Sequence, residues 1–201
     1  MSLLDGQRGQ IDLEECTETS VLPKPPEKKA KVTYNTGKED WFTPEPILDL
    51  ASQYMGEITL DPMSSEEANR SVEAKHFYTK DQDGLSKEWF GNVWLNPPYH
   101  SKTMEQVSKK IVESVSTSVD RLLLLSNNAT ESKWGQDILI NASAICFPKS
   151  RIRFIDGSTG KKQKSPLQGQ MITLFLGKNV DHAEEVSRFM AVFSKIGVVI
   201  P

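Results

Sequence analysis

The sequence predicts one α/β domain with a central, mostly parallel sheet and helices on both faces. Three observations carry that expectation. From about residue 36 onward, helical and strand-like patterns alternate, as they do where helices cross between parallel strands. The run Arg121-Leu122-Leu123-Leu124-Leu125 holds four leucines in succession and reads as a central strand. At 201 residues, the chain suits one full core plus a tail.

The elements follow in order. Residues 1–35 hold Asp5, Asp12, Glu14, Glu15 and Glu18, then Pro23-Lys24-Pro25-Pro26-Glu27-Lys28-Lys29, with too few large apolar groups to pack; they are expected to form a flexible arm ahead of a domain over 36–201. A helix is expected over 45–54, with Thr43 as its cap and Pro44 in its first turn. A strand over 57–60 runs into Asp61, and a second, over 91–95, runs into Asn96. Ligands of such sheets bind beyond the carboxyl ends of the strands, so Asp61 and Asn96 fall where a site belongs. A helix over 102–115 places Met104, Val107, Ile111 and Val115 on one face. After the leucine strand come a helix over 131–140, strands over 144–147, 151–155 and 171–176, a helix over 183–195 and a short apolar end over 198–200.

Composition narrows the function classes. The net charge of −3 argues against a generally basic nucleic-acid coat, but residues 149–164 carry Lys149, Arg151, Arg153, Lys161, Lys162 and Lys164 against Asp156 alone, enough to engage several phosphates. A solvated lysine-rich loop has the same composition. Cys16 and Cys146 imply no disulfide framework, and with His76, His100 and His182 dispersed, no metal site is expected. No apolar run is long enough to span a membrane and no secretory segment leads the chain, so a cytoplasmic protein is expected.

The chemistry concentrates at Asn96-Pro97-Pro98-Tyr99. An aromatic amine is a weak nucleophile because its lone pair is delocalised into the ring. A catalyst must accept hydrogen bonds from its N–H groups, which an Asn side-chain oxygen and a proline carbonyl can do. Two prolines stiffen the loop and remove N–H donors, and the aromatic that follows offers a face for stacking a base.

In the order Asp40-Trp41-Phe42-Thr43-Pro44, Leu60-Asp61-Pro62, Asn69, Asp83-Gly84-Leu85 with Trp89, and Asn96 to Tyr99, the chain resembles the phage-type DNA adenine-N6 methyltransferases over roughly residues 40–177. The resemblance implies a methyltransferase-type, Rossmann-like domain that uses S-adenosylmethionine, with DNA, most simply double-stranded, as partner. It implies that Trp41, Thr43, Pro44, Asp61 and Pro62 face the cofactor, that Asp83 accepts from the cofactor's adenine amino group while Leu85 packs on its ring, and that Asn96, Pro97, Pro98 and Tyr99 receive a flipped adenine. Pro148, Arg151 and Phe154 look like the family's late segment at the base pocket and DNA cleft, leaving Lys149, Arg151, Lys161, Lys162 and Lys164 as the expected DNA contacts. The chain departs from the common pattern at Asp61-Pro62-Met63-Ser64-Ser65, where most relatives have glycine. On the residues alone, RNA adenine, a protein glutamine, and a non-catalytic nucleic-acid binder remain alternatives.

Overall fold

A computed structural model describes residues 41–164 and 167–201; the arm expected over 1–35 lies outside the described residues. In chain order the elements are β1 (Trp41–Phe42), α1 (Glu45–Met55), β2 (Leu60–Asp61), α2 (Glu66–Val72), β3 (His76–Phe77), β4 (Gly91–Leu95), α3 (Ser101–Val115), β5 (Val119–Asn127), α4 (Lys133–Asn141), β6 (Ala144–Pro148), β7 (Ile155–Asp156), β8 (Gln170–Leu176), α5 (His182–Phe193) and β9 (Gly197–Ile200). Two short 3-10 turns, Lys80–Gln82 and Gly84–Ser86, lie between β3 and β4.

Seven strands form one sheet in the order β3-β2-β4-β5-β8-β6-β9. β2, β3, β4 and β5 are mutually parallel. β8 opposes β5, β6 opposes β8 and so runs with β5, and β9 opposes β6. Five strands therefore share one direction, and the mostly parallel α/β expectation holds, with β8 and β9 reversed. β8 lies between two parallel-facing strands because the segment joining it to β6 contains no crossover helix, and an antiparallel neighbour needs none.

Each face of the sheet carries its own core. Trp94, Leu123, Leu125, Ile172 and Leu174 pack with α1 and α5 through Leu48, Ala51, Tyr54, Phe189 and Phe193. Val93, Leu95, Leu122, Leu124 and Phe175 pack with α3 and α4 through Met104, Val107, Ile111 and Ile138. Alternate residues of β4 and β5 thus serve opposite cores, and the leucine run is apolar throughout because both of its faces are covered.

Three local expectations are corrected. Thr43 does not cap α1: Pro44 occupies the N-cap, and the threonine hydroxyl is drawn to Asn96 instead. The strand expected over 151–155 shrinks to Ile155–Asp156, which pairs antiparallel with Trp41–Phe42 in a separate ribbon, outside the main sheet. Its alternation was real, since Ile152 and Phe154 are buried while Arg151 and Arg153 are exposed, but alternation does not specify a strand's partner. α4 begins at Lys133 because Ser132 accepts from the Gly135 amide and caps it there.

Candidate active site

β2 and β4 are adjacent and parallel, with Leu60 opposite Val93, so Asp61 and Asn96 emerge at the same edge of the sheet. Asn96 is held firmly. Its Nδ2 donates to Thr43 Oγ1 at 3.1 Å and to the Trp41 carbonyl at 3.5 Å, and its Oδ1 accepts from the Tyr99 hydroxyl at 2.8 Å. With both donor contacts committed to the β1 segment, the amide presents oxygen, not nitrogen, toward Tyr99. Burial pushes the Tyr99 hydroxyl's pKa up, so it stays a neutral donor, and its ring meets Phe154 edge-on with centroids 6.2 Å apart. Pro97 and Pro98 carry the chain directly into α3.

Asp61 is 4% exposed and accepts one contact, a long one of 3.3 Å from the Met63 amide. Burial raises its carboxyl from 3.8 to about 6, while the Ser64 hydroxyl and the Met63 amide pull the other way. Ser64 Oγ is itself buried and makes no aligned hydrogen bond among the described residues. Asp61 is not the cap of the following helix, a role Ser65 takes by accepting from the Ala68 amide. A buried carboxylate that draws on one long amide donor and the hydroxyl beside it keeps acceptor capacity for a ligand bearing hydroxyl or ammonium groups.

The Asp83 turn is built against this loop. A Cβ on Gly84 would lie 1.7 Å from the Pro62 carbonyl oxygen, so only glycine allows the approach. Gly84, which the sequence singled out only as a neighbour of Asp83, thus packs its backbone directly on the Asp61-Pro62-Met63 loop. Trp89 locks the turn, donating from Nε1 to the Gly84 carbonyl at 2.8 Å, and is buried in the core. Asp83 is exposed in a left-handed conformation, φ 50°, and Leu85 is half-buried against the α3-side core. Asn69 plays a structural part: both ends of its amide bond the Ala74 backbone and close the turn after α2.

The basic residues lie together on the segment after β6. Lys149, Arg151, Lys161, Lys162 and Lys164 are all exposed. Lys161 and Lys162 sit on a hairpin whose turn is organised by Asp156, its Oδ1 accepting from the Ser158 and Thr159 amides. Ribbon pairing of Trp41 with Asp156 roots that hairpin beside Asn96. Gln170 was missed by sequence reasoning. Buried at the start of β8, it accepts from the Ile152 amide at 2.9 Å and donates to Asn127 Oδ1 at 3.3 Å, fixing the late segment over the sheet edge.

Comparison with known proteins places this geometry in context. A family model described as DNA N-6-adenine-methyltransferase (Dam) matches residues 30–192. A protein of Haemophilus phage HP1 named DNA N-6-adenine-methyltransferase is 33% identical over 147 residues, which is 70% of this chain and 82% of that protein. One of the same name from Escherichia phage T1 is 29% identical over 160 residues, 72% of this chain and 65% of the relative. Among solved structures, a Thermoplasma acidophilum protein aligns at 14% identity with a TM-score of 0.34, over 56% of this chain and 60% of its own.

Proposed function

The chain belongs to the DNA N-6-adenine-methyltransferase family, and from that premise we propose that it methylates N6 of an adenine turned out of duplex DNA, with S-adenosylmethionine as methyl donor. The observation that carries this reading is the fixed Asn96 amide, whose oxygen faces Tyr99 because its nitrogen is held by Thr43 and Trp41. An adenine amine entering the loop takes the place of the Tyr99 hydroxyl on Oδ1, while Tyr99 and Phe154 offer ring surface to the base. Accepting from the amine draws its lone pair out of conjugation.

Asp61, Pro62 and the Asp83–Leu85 turn would hold the cofactor, with Trp41, Thr43 and Pro44 closing its far side. When bound, S-adenosylmethionine supplies an electrophilic methyl group. The fit rests on Asp61, a buried carboxylate with a single long amide donor, whose spare acceptor capacity matches the cofactor's hydroxyl and ammonium donors. Lys149, Arg151, Lys161, Lys162 and Lys164 would hold DNA phosphates. The overall test is incubation with methyl-labelled cofactor on DNA, RNA and protein pools followed by nucleoside analysis. N6-methyladenine in DNA is the expected product; label confined to RNA or protein sinks the reading.

Thr43 has a positioning role in this scheme. Thr43→Val keeps the shape but removes the acceptor for Asn96 Nδ2, freeing the amide to rotate. Turnover is expected to fall by roughly 10-fold or more, as for loss of about one well-formed hydrogen bond, with the KM for DNA nearly unchanged and Thr43→Ser restoring activity. Equal losses in the Val and Ser variants would assign Thr43 to packing alone.

Asp61 makes cofactor binding depend on pH. Its folded pKa is raised, so the free protein favours the protonated form up to about 6, whereas a ligand that donates hydrogen bonds favours the carboxylate. Cofactor affinity is therefore expected to rise from pH 5 to about 7 and then level off. Asp61→Asn should flatten that dependence and weaken binding at neutral pH by about 1–3 kcal/mol. Calorimetric titration across pH 5–8 decides it; a flat wild-type profile counts against Asp61 as a cofactor ligand.

A further inference from the structure

A groove of about 340 Å³ opens beside the candidate active site, between the start of α1 and the end of β6. Its floor is apolar, formed by Pro44, Pro46, Ile47 and Ile152. Its rim carries Lys149, Arg153 and Lys162, all exposed and none paired with a carboxylate among the described residues. We propose that this groove is the track for the sugar-phosphate backbone flanking the target adenine, an inference that rests on the adenine reading above and adds Arg153 and the first turn of α1 to the DNA-binding surface.

The lining chemistry selects this occupant. No aromatic ring lines the groove, so it offers nothing for a base to stack on. No acidic side chain lines it either, so it lacks the counter-ion that an ammonium group would need, and Ser150 is the one side-chain hydroxyl in its lining. What remains is an apolar floor for the faces of sugars and three cations at the rim for phosphates, on a chain whose net charge is −3. Two links join the groove to the base pocket. Pro44 in its floor follows Thr43, which holds Asn96. Ile152 is two residues from Phe154, whose ring meets Tyr99. A strand leaving the pocket therefore passes directly into the groove.

The test uses the full chain carrying Lys149→Gln, Arg153→Gln and Lys162→Gln together, with mixed-sequence duplex DNA as probe and binding measured without cofactor over a salt series. The slope of log affinity against log salt is expected to flatten by about 2–3, since each phosphate contact releases close to one counterion. The KM for DNA should rise more than turnover falls, with thermal stability and cofactor affinity retained. A Lys109→Gln, Lys178→Gln pair, exposed but outside both the groove and the basic segment, should leave the slope unchanged. The proposal is overturned if the triple variant keeps the wild-type slope or if the control pair flattens it equally. It is also overturned if the triple variant binds DNA more tightly than the wild type. Binding and chemistry separate the two readings. Wild-type protein that shows the expected slope change on mutation yet methylates no DNA supports the groove and sinks the adenine reading; an unchanged slope in protein that does methylate DNA does the reverse.

Discussion

Asn96→Ala is expected to lower turnover by about two orders of magnitude or more while cofactor affinity stays close to wild type, the loss found when an acceptor or donor matched to developing charge is removed. In the adenine reading the substitution removes the side-chain oxygen proposed to accept from the amine, and alanine offers no replacement. It also removes the contacts to Thr43 and Trp41, which span two segments, so a small loss of stability, about 1 kcal/mol, accompanies it. Single-turnover rates with preformed protein–DNA complex isolate the chemical step. Near wild-type rates in that experiment would remove Asn96 from the centre of the mechanism.

Glu185→Ala is expected to be the most destabilising single change at the other edge of the sheet. The Glu185 side chain is 4% exposed and gathers three donors: Arg121 Nη2 at 2.6 Å and Arg188 Nη1 at 2.9 Å on one oxygen, the Tyr54 hydroxyl at 2.8 Å on the other. Arg121 reaches on to Asn92 Oδ1, and Arg188 to the Tyr54 carbonyl, so the carboxylate ties together α1, β4, β5 and α5. Removing it strands a buried tyrosine hydroxyl and leaves Arg121 without its counter-ion, at a cost of about 3–5 kcal/mol. The bond from Arg121 holds the Glu185 carboxyl below its ordinary range. Its folded pKa being lowered, this contribution is present above about pH 4.5 and is lost as pH falls through the folded value. Chemical denaturation from pH 3 to 7 should show the Ala variant's deficit shrinking toward acid. Because Arg121 and Asn92 begin their strands whereas Asn96 follows the end of one, folded Glu185→Ala protein should still turn over at low temperature. A deficit under about 1 kcal/mol would show the cluster to be a surface ion pair in effect.

How much of this was legible in the sequence depends on how far apart the cooperating residues lie. The Asn96 loop could be read because its parts are contiguous, and α3 because the spacing of Met104, Val107 and Ile111 reports a buried face. β5 announced itself by uninterrupted leucine. β3, only two residues long, carries no periodicity to detect. Thr43 looked like a helix cap, since nothing local reveals that its hydroxyl is claimed by a side chain 53 positions on. Gly84 against Pro62, and Glu185 against Tyr54, likewise exist only once distant strands and helices have assembled. The reversal of β8 was hidden for a similar reason: strand direction follows from what joins two strands, and the segment after β6 reads as extended chain whichever way it returns.

That reversal makes the turn after β7 an interchangeable part. A crossover helix would have to pack on the sheet and could not be exchanged without rebuilding a core. An excursion between antiparallel neighbours carries no such demand: here it is pinned by Ile152 and Phe154 in the core, by the β1–β7 ribbon and by Gln170, and the turn after β7 reaches beyond those anchors. Doubling the length of such an excursion costs only about 0.6 kcal/mol in closure entropy. The turn after β7 can therefore change in length or sequence while the amide at Asn96, the anchors at Ile152 and Phe154 and both cores stay as they are.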